Sequence, residues 1–167
     1  PGLLLDLTAA DGDTITATDL ERAMKAAGHR PDPGDIVLLD TGAARWAGQR
    51  RYFTDFRGLG GDGVELLLDL GVRVIGTDAF SLDAPFAAMI ARYRETGDPA
   101  ALWPAHFAGR RREFCQLERL ANLSALPAPT GFTVACFPVK IARAGAAWAR
   151  AVALISEPGG AAAATPP

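Results

Sequence analysis

The run Ile36-Val37-Leu38-Leu39 constrains the fold more than any other part of the sequence. Four consecutive apolar residues without polar alternation are typical of a strand that is buried on both faces, as in parallel sheets. Such a sheet needs helices to cover it. Residues 3–7 and 72–75 are further short, mainly apolar runs, which we expect to be strands of the same sheet. The sequence therefore predicts an α/β protein.

Three helices are predicted from capping residues and from apolar residues at helical spacing. They cover residues 18–27, 63–70 and 84–96. Thr18 and Glu21 form the capping box of the first helix, and Asp62 is the expected cap of the second. Residues 133–137 and 151–155 are expected to be closing strands. These elements alternate in the order that an α/β sheet requires.

Length and composition indicate one globular domain. The chain has 167 residues, of which 49% are hydrophobic and 22% charged, so a single core over residues 1–156 is expected. Residues 157–167 are rich in Gly, Ala and Pro and are predicted to be a disordered tail. The net charge of −2 argues against general binding to nucleic acid or to anionic membranes. No apolar stretch approaches the roughly 20 residues that a membrane span needs.

The two cysteines, Cys115 and Cys136, are too few and too far apart for a cysteine-based zinc site. We expect both to be small buried apolar residues in strands. Because no secretory signal is visible, reduced thiols in a cytoplasmic protein are the simpler interpretation.

The chain contains only two histidines, and one of them, His106, lies twelve residues before Glu118. If residues 114–120 form a strand, Glu118 shares one face with apolar side chains, so its charge needs a partner. An imidazole nitrogen and a carboxylate oxygen both suit a divalent cation. Pairing of Glu118 with one arginine of the run 110–112 explains the same residues without a metal. The other histidine, His29, is expected at the surface without a coordinating partner.

Two segments that could suggest ligand binding have simpler explanations. One is rich in glycine, and the other is rich in arginine and aromatic residues. Gly58, Gly60, Gly61 and Gly63 lack the Lys-Ser/Thr of a phosphate loop and are expected to form a turn before a helix. Residues 44–56 are rich in Arg and aromatic residues, and we expect their rings to pack at a pocket rim or a subunit contact. A dinucleotide-binding fold is disfavoured because no Gly-x-Gly-x-x-Gly joins a strand to a helix.

Four segments in order resemble the cyclase or kynurenine formamidase-like family of metal-dependent hydrolases. The resemblance covers residues 3–155. The segments are Pro33-Gly34-Asp35 with the following strand and Thr41-Gly42, Gly71-Val72 through Asp78-Ala79-Phe80-Ser81-Leu82-Asp83, His106 with Glu118-Arg119-Leu120-Ala121-Asn122-Leu123, and Leu126-Pro127 through Phe137-Pro138-Val139-Lys140-Ile141. Ala79-Phe80 departs from the more usual Thr-Pro and puts a bulky ring where a pocket wall is expected.

The resemblance implies a mixed β-sheet core flanked by helices, of the swivelling β/β/α type, incomplete at the N-terminus. It implies an arylformamidase-like hydrolase of a small amide, cyclic amide or ester that uses Zn²⁺ or Mn²⁺, has a small-molecule substrate and forms a homodimer. His106 and Glu118 are then metal ligands. Five further residues are expected either to line the substrate pocket or to hydrogen-bond to the metal ligands: Asp78, Phe80, Ser81, Asp83 and Asn122.

The family motif His-x-Gly-Thr-His-x-Asp-x-Pro-x-His, which supplies the other ligands and the catalytic histidine, does not occur in the 167 residues. We therefore expect this chain to be part of a longer enzyme and to have little activity alone, since a catalytic zinc site normally takes three protein ligands. The alternative is a catalytically silent homologue that serves as a binding or oligomerisation module. For Asp78 and Ser81, hydrogen bonding to turn amides is an equally good explanation.

Overall fold

The computed structural model describes residues 1–155, so the predicted tail at residues 157–167 lies outside the described part. The chain folds as an α/β protein, as predicted. In chain order the elements are β1 (Gly2–Asp6), β2 (Thr14–Ile15), α1 (Ala17–Ala27), β3 (Ile36–Asp40), β4 (Gly58–Leu59), α2 (Gly61–Asp69), β5 (Val74–Thr77), α3 (Phe86–Thr96), α4 (Pro104–Ala108), β6 (Cys115–Leu117), β7 (Phe132–Pro138) and β8 (Ala149–Ile155).

A four-stranded parallel sheet with the order β1-β3-β5-β6 forms the centre of the molecule. In its register Leu3 pairs with Val37, Val37 with Ile75, and Ile75 with Gln116. Strands β2 and β4 form a short parallel pair, and β7 and β8 form an antiparallel hairpin. The predicted strands are therefore present. The central sheet is parallel throughout, and the antiparallel pairing lies in the separate hairpin.

Strand β3 is buried on both faces, which explains its unbroken apolar run. Val37 and Leu39 pack in a large core that α1, α2 and α4 cover. Leu38 faces the other way, against Leu123 and Phe132. The second face is thus covered by the hairpin and the turn before it rather than by helices. The expectation of helical cover is correct for one face only.

Two predicted helix caps are displaced in the structure. The capping box of α1 is formed by Thr16 and Asp19, two residues earlier than expected: the N–H of Asp19 donates to the Thr16 hydroxyl, and the N–H of Thr16 donates to the Asp19 carboxylate at 2.8 Å. Gly60, not Asp62, caps α2. The Asp62 carboxylate instead accepts from the N–H of Ala17 at 2.9 Å, and so ties α2 to the start of α1.

The carboxyl ends of β5 and β6 create the edge at which the site forms. The two strands are parallel neighbours and end at Thr77 and Leu117. Residues 78–83 and residue 118 therefore leave the sheet at the same edge, where ligands commonly bind in open α/β sheets. Within residues 1–155, no helix is long and apolar enough to cross a membrane.

Candidate metal site at the edge of the sheet

The short helix α4 holds His106 through the buried carboxylate of Asp83. This carboxylate is fully buried and accepts hydrogen bonds from the N–H of Ala105 at 2.6 Å and of His106 at 3.1 Å. It also contacts Nδ1 of the His106 ring. Asp83 therefore fixes both the backbone and the ring of His106. An ionised Asp83 favours the tautomer with the proton on Nδ1, which leaves the lone pair on Nε2.

Glu118 approaches His106 from the end of β6. Its Oε1 accepts from the N–H of Leu82 at 2.7 Å and lies 3.7 Å from Nε2 of His106. That separation is longer than a hydrogen bond. The two residues that the sequence singles out are thus brought together, with the free nitrogen of the imidazole facing the carboxylate.

The alternative partner for Glu118, the arginine run 110–112, is engaged elsewhere. Arg112 pairs with Glu65 and Asp69 on α2, and Arg111 pairs with Glu65. Within the described residues, Glu118 forms no ion pair with an arginine. Arg110 stacks on the ring of Phe107, so the predicted pairing of Glu118 with an arginine of this run is not formed.

The pKa of His106 is raised from its usual value of 6.5. The hydrogen bond to Asp83 is the main cause; burial opposes it, and the charges of Asp83 and Glu118 add to it. The protonated ring is therefore stabilised in the metal-free protein. Because an imidazole binds a metal only when it is neutral, a proton and a cation compete for Nε2 of His106.

This raised pKa predicts how stability depends on pH. Below about 6.5 the stabilisation by protonated His106 is fully present, and it is lost as the pH rises through the raised folded-state value. We expect the destabilisation caused by His106→Gln, measured by urea unfolding in chelator, to be larger at pH 5.5 than at pH 8.5. If the loss of unfolding free energy caused by His106→Gln is the same at both pH values, the raised pKa of His106 is contradicted.

The carboxylate of Asp78 is hydrogen-bonded to the turn after β3, not to the residues around His106. Its carboxylate accepts from the N–H and the hydroxyl of Thr41 at 2.8 and 2.7 Å, and from the N–H of Ala44 at 2.9 Å. These bonds account for its buried charge, as the turn-amide explanation proposed. Ser81 is also buried in the 78–83 turn.

Phe80 lies at the centre of an aromatic cluster beside Glu118. Its ring centroid lies 4.8 Å from that of Phe53 and between 6.2 and 6.5 Å from those of Tyr52, Phe56 and Phe86. Phe53 and Phe86 remain exposed. The aromatic side chains of residues 52–56 therefore pack around the ring of Phe80.

Asn122 occupies a turn four residues after Glu118. Its φ is 61°, in the left-handed region that asparagine tolerates, and its carbonyl accepts from the N–H of Ala125 at 3.0 Å. The side chain is exposed and makes no capping hydrogen bond. The structure thus gives Asn122 a backbone role in the turn.

An open cleft of about 620 Å³ lies beside His106, between the exposed edge of β6 and the end of the hairpin. Cys115, Gln116, Cys136 and Lys140 contribute to its lining. The buried Oε1 of Gln116 has no hydrogen-bond partner among the described residues. Cys115 is exposed and Cys136 is only half-buried, so the expectation that both are buried is wrong. Cys115 is exposed because β6 is the edge strand of the central sheet, whereas Cys136 lies in the two-stranded hairpin.

His29 also differs from its prediction, because it has carboxylates nearby. Its Nε2 lies 3.5 Å from Oδ2 of the buried Asp35, and Asp32 brings a third candidate ligand atom within 4.8 Å of the other two. The sequence Pro31-Asp32-Pro33-Gly34-Asp35 folds back on itself, with the N–H of Asp32 donating to Asp35 at 3.0 Å. The expectation that His29 has no possible coordinating partner is therefore wrong.

Comparison with known proteins identifies the family of the chain. The family model described as "Putative cyclase" matches residues 1–84. An isatin hydrolase bound to the product analogue thioisatinate is 29% identical over 93% of this chain and 59% of its own, with a TM-score of 0.73. No curated protein matches the chain.

Two further solved structures share the fold at lower identity. Isatin hydrolase A from Ralstonia solanacearum has a TM-score of 0.76 at 24% identity, over 93% of this chain and 60% of its own. A potential metal-dependent hydrolase with cyclase activity has a TM-score of 0.68 at 22% identity, over 93% and 65%. The chain thus spans between 59% and 65% of the length of these three structures.

Proposed function

The chain belongs to the cyclase family, and from this premise we propose that it forms part of a metal-dependent hydrolase of a small amide, cyclic amide or ester. His106 and Glu118 are the proposed ligands from this chain, and Zn²⁺ or Mn²⁺ is the proposed cation. The observation that carries the proposal is the approach of Glu118 to Nε2 of His106 at 3.7 Å, while Asp83 holds Nδ1.

The donor set fits a divalent cation of this type. A neutral imidazole nitrogen and an anionic carboxylate oxygen are ordinary ligands of zinc and manganese. Metal-ligating histidines almost always donate their other ring N–H to a carboxylate or carbonyl, and Asp83 is placed to accept it. The contact between Asp83 and Nδ1 of His106 supports the proposed ligand pair, because it orients one of its two members.

When bound, the cation supplies an activated water and polarises the substrate carbonyl. The residues of this chain orient the groups around it. Asp83 keeps the lone pair of His106 on Nε2, and the N–H of Leu82 holds Glu118 in place. In the net reaction, water adds to the carbonyl carbon, the C–N or C–O bond breaks, the leaving atom takes a proton and a carboxylate forms.

Further ligands must complete the site. Within residues 1–155, no third His, Cys, Asp or Glu joins His106 and Glu118 in a cluster whose ligand atoms all lie within 4.8 Å. We propose that the remaining ligands come from outside this chain and approach through the cleft beside His106. The family motif that the sequence lacks, with its histidines and aspartate, has suitable donors.

The substrate proposal is a small planar carbonyl compound. The aromatic cluster around Phe80 offers an apolar wall beside Glu118, on which a flat ring can pack. A related isatin hydrolase binds thioisatinate, an analogue of its product. Cyclic amides fused to an aromatic ring and aryl formamides are therefore the first substrates to test.

Metal titration tests the proposal directly. We expect Zn²⁺ and Mn²⁺ to bind weakly to the 167-residue chain, and tightly to a polypeptide that also carries the family motif. We expect that longer polypeptide to hydrolyse an amide from a panel of lactams, formamides and esters, and to lose activity in chelator. Stoichiometric zinc in the shorter protein would contradict the need for outside ligands, and metal-independent hydrolysis would overturn the mechanism.

A second candidate, a binding or oligomerisation module without catalysis, is favoured by the hairpin. Phe137 and Trp148 are 68% and 81% exposed there, and large exposed apolar side chains commonly mark an interaction surface. The same experiments separate the two candidates, because a silent module binds no catalytic cation in either polypeptide.

A further inference from the structure

Arg119 adopts a backbone conformation that is unfavourable for its residue type. Its φ is 63°, in the left-handed region that glycine enters freely and arginine rarely does. The N–H of Arg119 donates to the carbonyl of Ala79 at 3.0 Å, which holds the turn in this form. A glycine would make the same backbone hydrogen bond without steric cost. The arginine side chain therefore needs a separate explanation.

Two contacts fix the plane of the Arg119 guanidinium. Its central carbon lies 4.2 Å from the centroid of the Phe80 ring, and Nε donates to the carbonyl of Phe80 at 3.2 Å. Stacking and this hydrogen bond leave the two terminal nitrogens available. In residues 1–155, no carboxylate pairs with Arg119, whereas Arg111 and Arg112 nearby in sequence both form ion pairs. The charge is thus held in place without a protein anion.

The held guanidinium and the proposed metal ligand Glu118 contact the same turn. Nε of Arg119 donates to the carbonyl of Phe80, and Glu118, which faces His106 at 3.7 Å, accepts from the N–H of Leu82. The ring beneath the guanidinium belongs to the aromatic cluster, whose members Phe53 and Phe86 are 52% and 48% exposed. A fixed cation on an exposed aromatic surface presents one group for an anion and another for a flat apolar ring. A planar guanidinium binds carboxylates through two parallel hydrogen bonds.

We infer that Arg119 and the aromatic cluster around Phe80 form a subsite for the carboxylate of a planar organic acid. The inference rests on the proposed hydrolysis, since that reaction converts a neutral amide or ester into a carboxylate. The guanidinium receives the anionic group, and the exposed rings contact the flat part of the molecule. Arg119 is then a product-binding residue, which receives the carboxylate that hydrolysis forms and binds it more tightly than a neutral carbonyl compound.

Binding of benzoate and of its neutral isostere benzamide tests the subsite without any catalysis. We expect calorimetry or ligand-observed NMR on the 167-residue chain to show benzoate binding that is about tenfold weaker in Arg119→Gly, the loss of one charge-assisted hydrogen bond or more. Benzamide should bind equally weakly to both proteins. Arg119→Lys should retain part of the benzoate affinity, because it keeps the charge but loses the planar fork.

The glycine variant is suited to this test because it relieves the strained backbone. Relief of the left-handed backbone offsets the lost side-chain contacts and the greater freedom of glycine in the unfolded chain, so its melting temperature should stay close to that of the wild type. Weaker benzoate binding then cannot be ascribed to unfolding. Arg51→Ala is the matched control, since Arg51 also stacks on an aromatic ring, that of Trp46 at 3.4 Å. It should leave benzoate binding unchanged.

Equal benzoate affinity in the wild type and Arg119→Gly would overturn the subsite, as would the absence of benzoate binding to the wild type. Failure of the proposed hydrolase would look different. In that case metal binding and hydrolysis are missing in every polypeptide, while the Arg119-dependent discrimination between benzoate and benzamide persists.

Discussion

Replacing Glu118 by glutamine is expected to reduce hydrolysis by roughly 100-fold or more in the longer polypeptide that carries the family motif. Loss of a residue that only hydrogen-bonds to a metal ligand already costs about 10- to 100-fold, and loss of a ligand charge should cost at least as much. The carboxamide keeps the volume and can still accept from the N–H of Leu82, which the Glu118 carboxylate does at 2.7 Å. These two features should preserve the fold. The carboxamide lacks the negative charge that faces His106, so the cation is held by one anionic ligand fewer.

Activity, metal content and unfolding should be measured together for this variant. We expect lower metal affinity and an unfolding midpoint close to that of the wild type. Glu65→Gln is the matched control, because it makes the same chemical change at a carboxylate whose partners are Arg111 and Arg112 on the protein surface. Full activity in Glu118→Gln, or an equal loss in Glu65→Gln, would remove Glu118 from the mechanism.

The central sheet could be predicted because its signals are local. The unbroken apolar run of β3 follows from burial on both faces, with Val37 on one side and Leu38 on the other. The glycine that ends α1, Gly28, has a φ of 67°, as a helix terminator should. The start of α1 was displaced by two residues because Thr16-x-x-Asp19 matches a capping box as well as Thr18-x-x-Glu21 does.

The contacts that build the site could not be predicted, because they join distant residues. Asp83 and His106 are 23 residues apart, and no periodicity relates them. The resemblance placed Asp83 near the site but did not indicate that it contacts the histidine ring. The pairing of Arg112 with α2 depends equally on the tertiary packing, as does the exposure of Cys115 on an edge strand.

His29 shows the same limit at the other end of the sheet. In the sequence, Asp32 and Asp35 are close neighbours of His29, yet two prolines between them suggested an open loop. The structure turns this segment back, so that Asp35 is buried and faces the imidazole. Local sequence thus predicts elements well, whereas side-chain encounters depend on how the elements pack.

Gly58 connects the packing of the fold to the site, and substitution by alanine is expected to be strongly destabilising. An added Cβ would lie 1.9 Å from the carbonyl carbon of Asp83 and 2.1 Å from the nitrogen of Ala84. Both are backbone atoms and cannot rotate away, so the segment that positions Asp83 must move. We expect Gly58→Ala to lower the free energy of unfolding by about 3 kcal/mol, the upper part of the range for overpacking.

Gly61→Ala provides the matched control, because its new Cβ would meet only Pro104, at an ordinary contact distance of 3.4 Å. Gly61 lies at the start of α2, where alanine should change stability by less than about 1 kcal/mol and in the favourable direction. Urea unfolding of both variants gives the comparison. Because displacement of Asp83 also releases His106, any folded Gly58→Ala protein should bind metal more weakly than Gly61→Ala. Similar unfolding midpoints for the two variants would show that the backbone at Asp83 can yield, and that its rigidity does not hold the histidine in place.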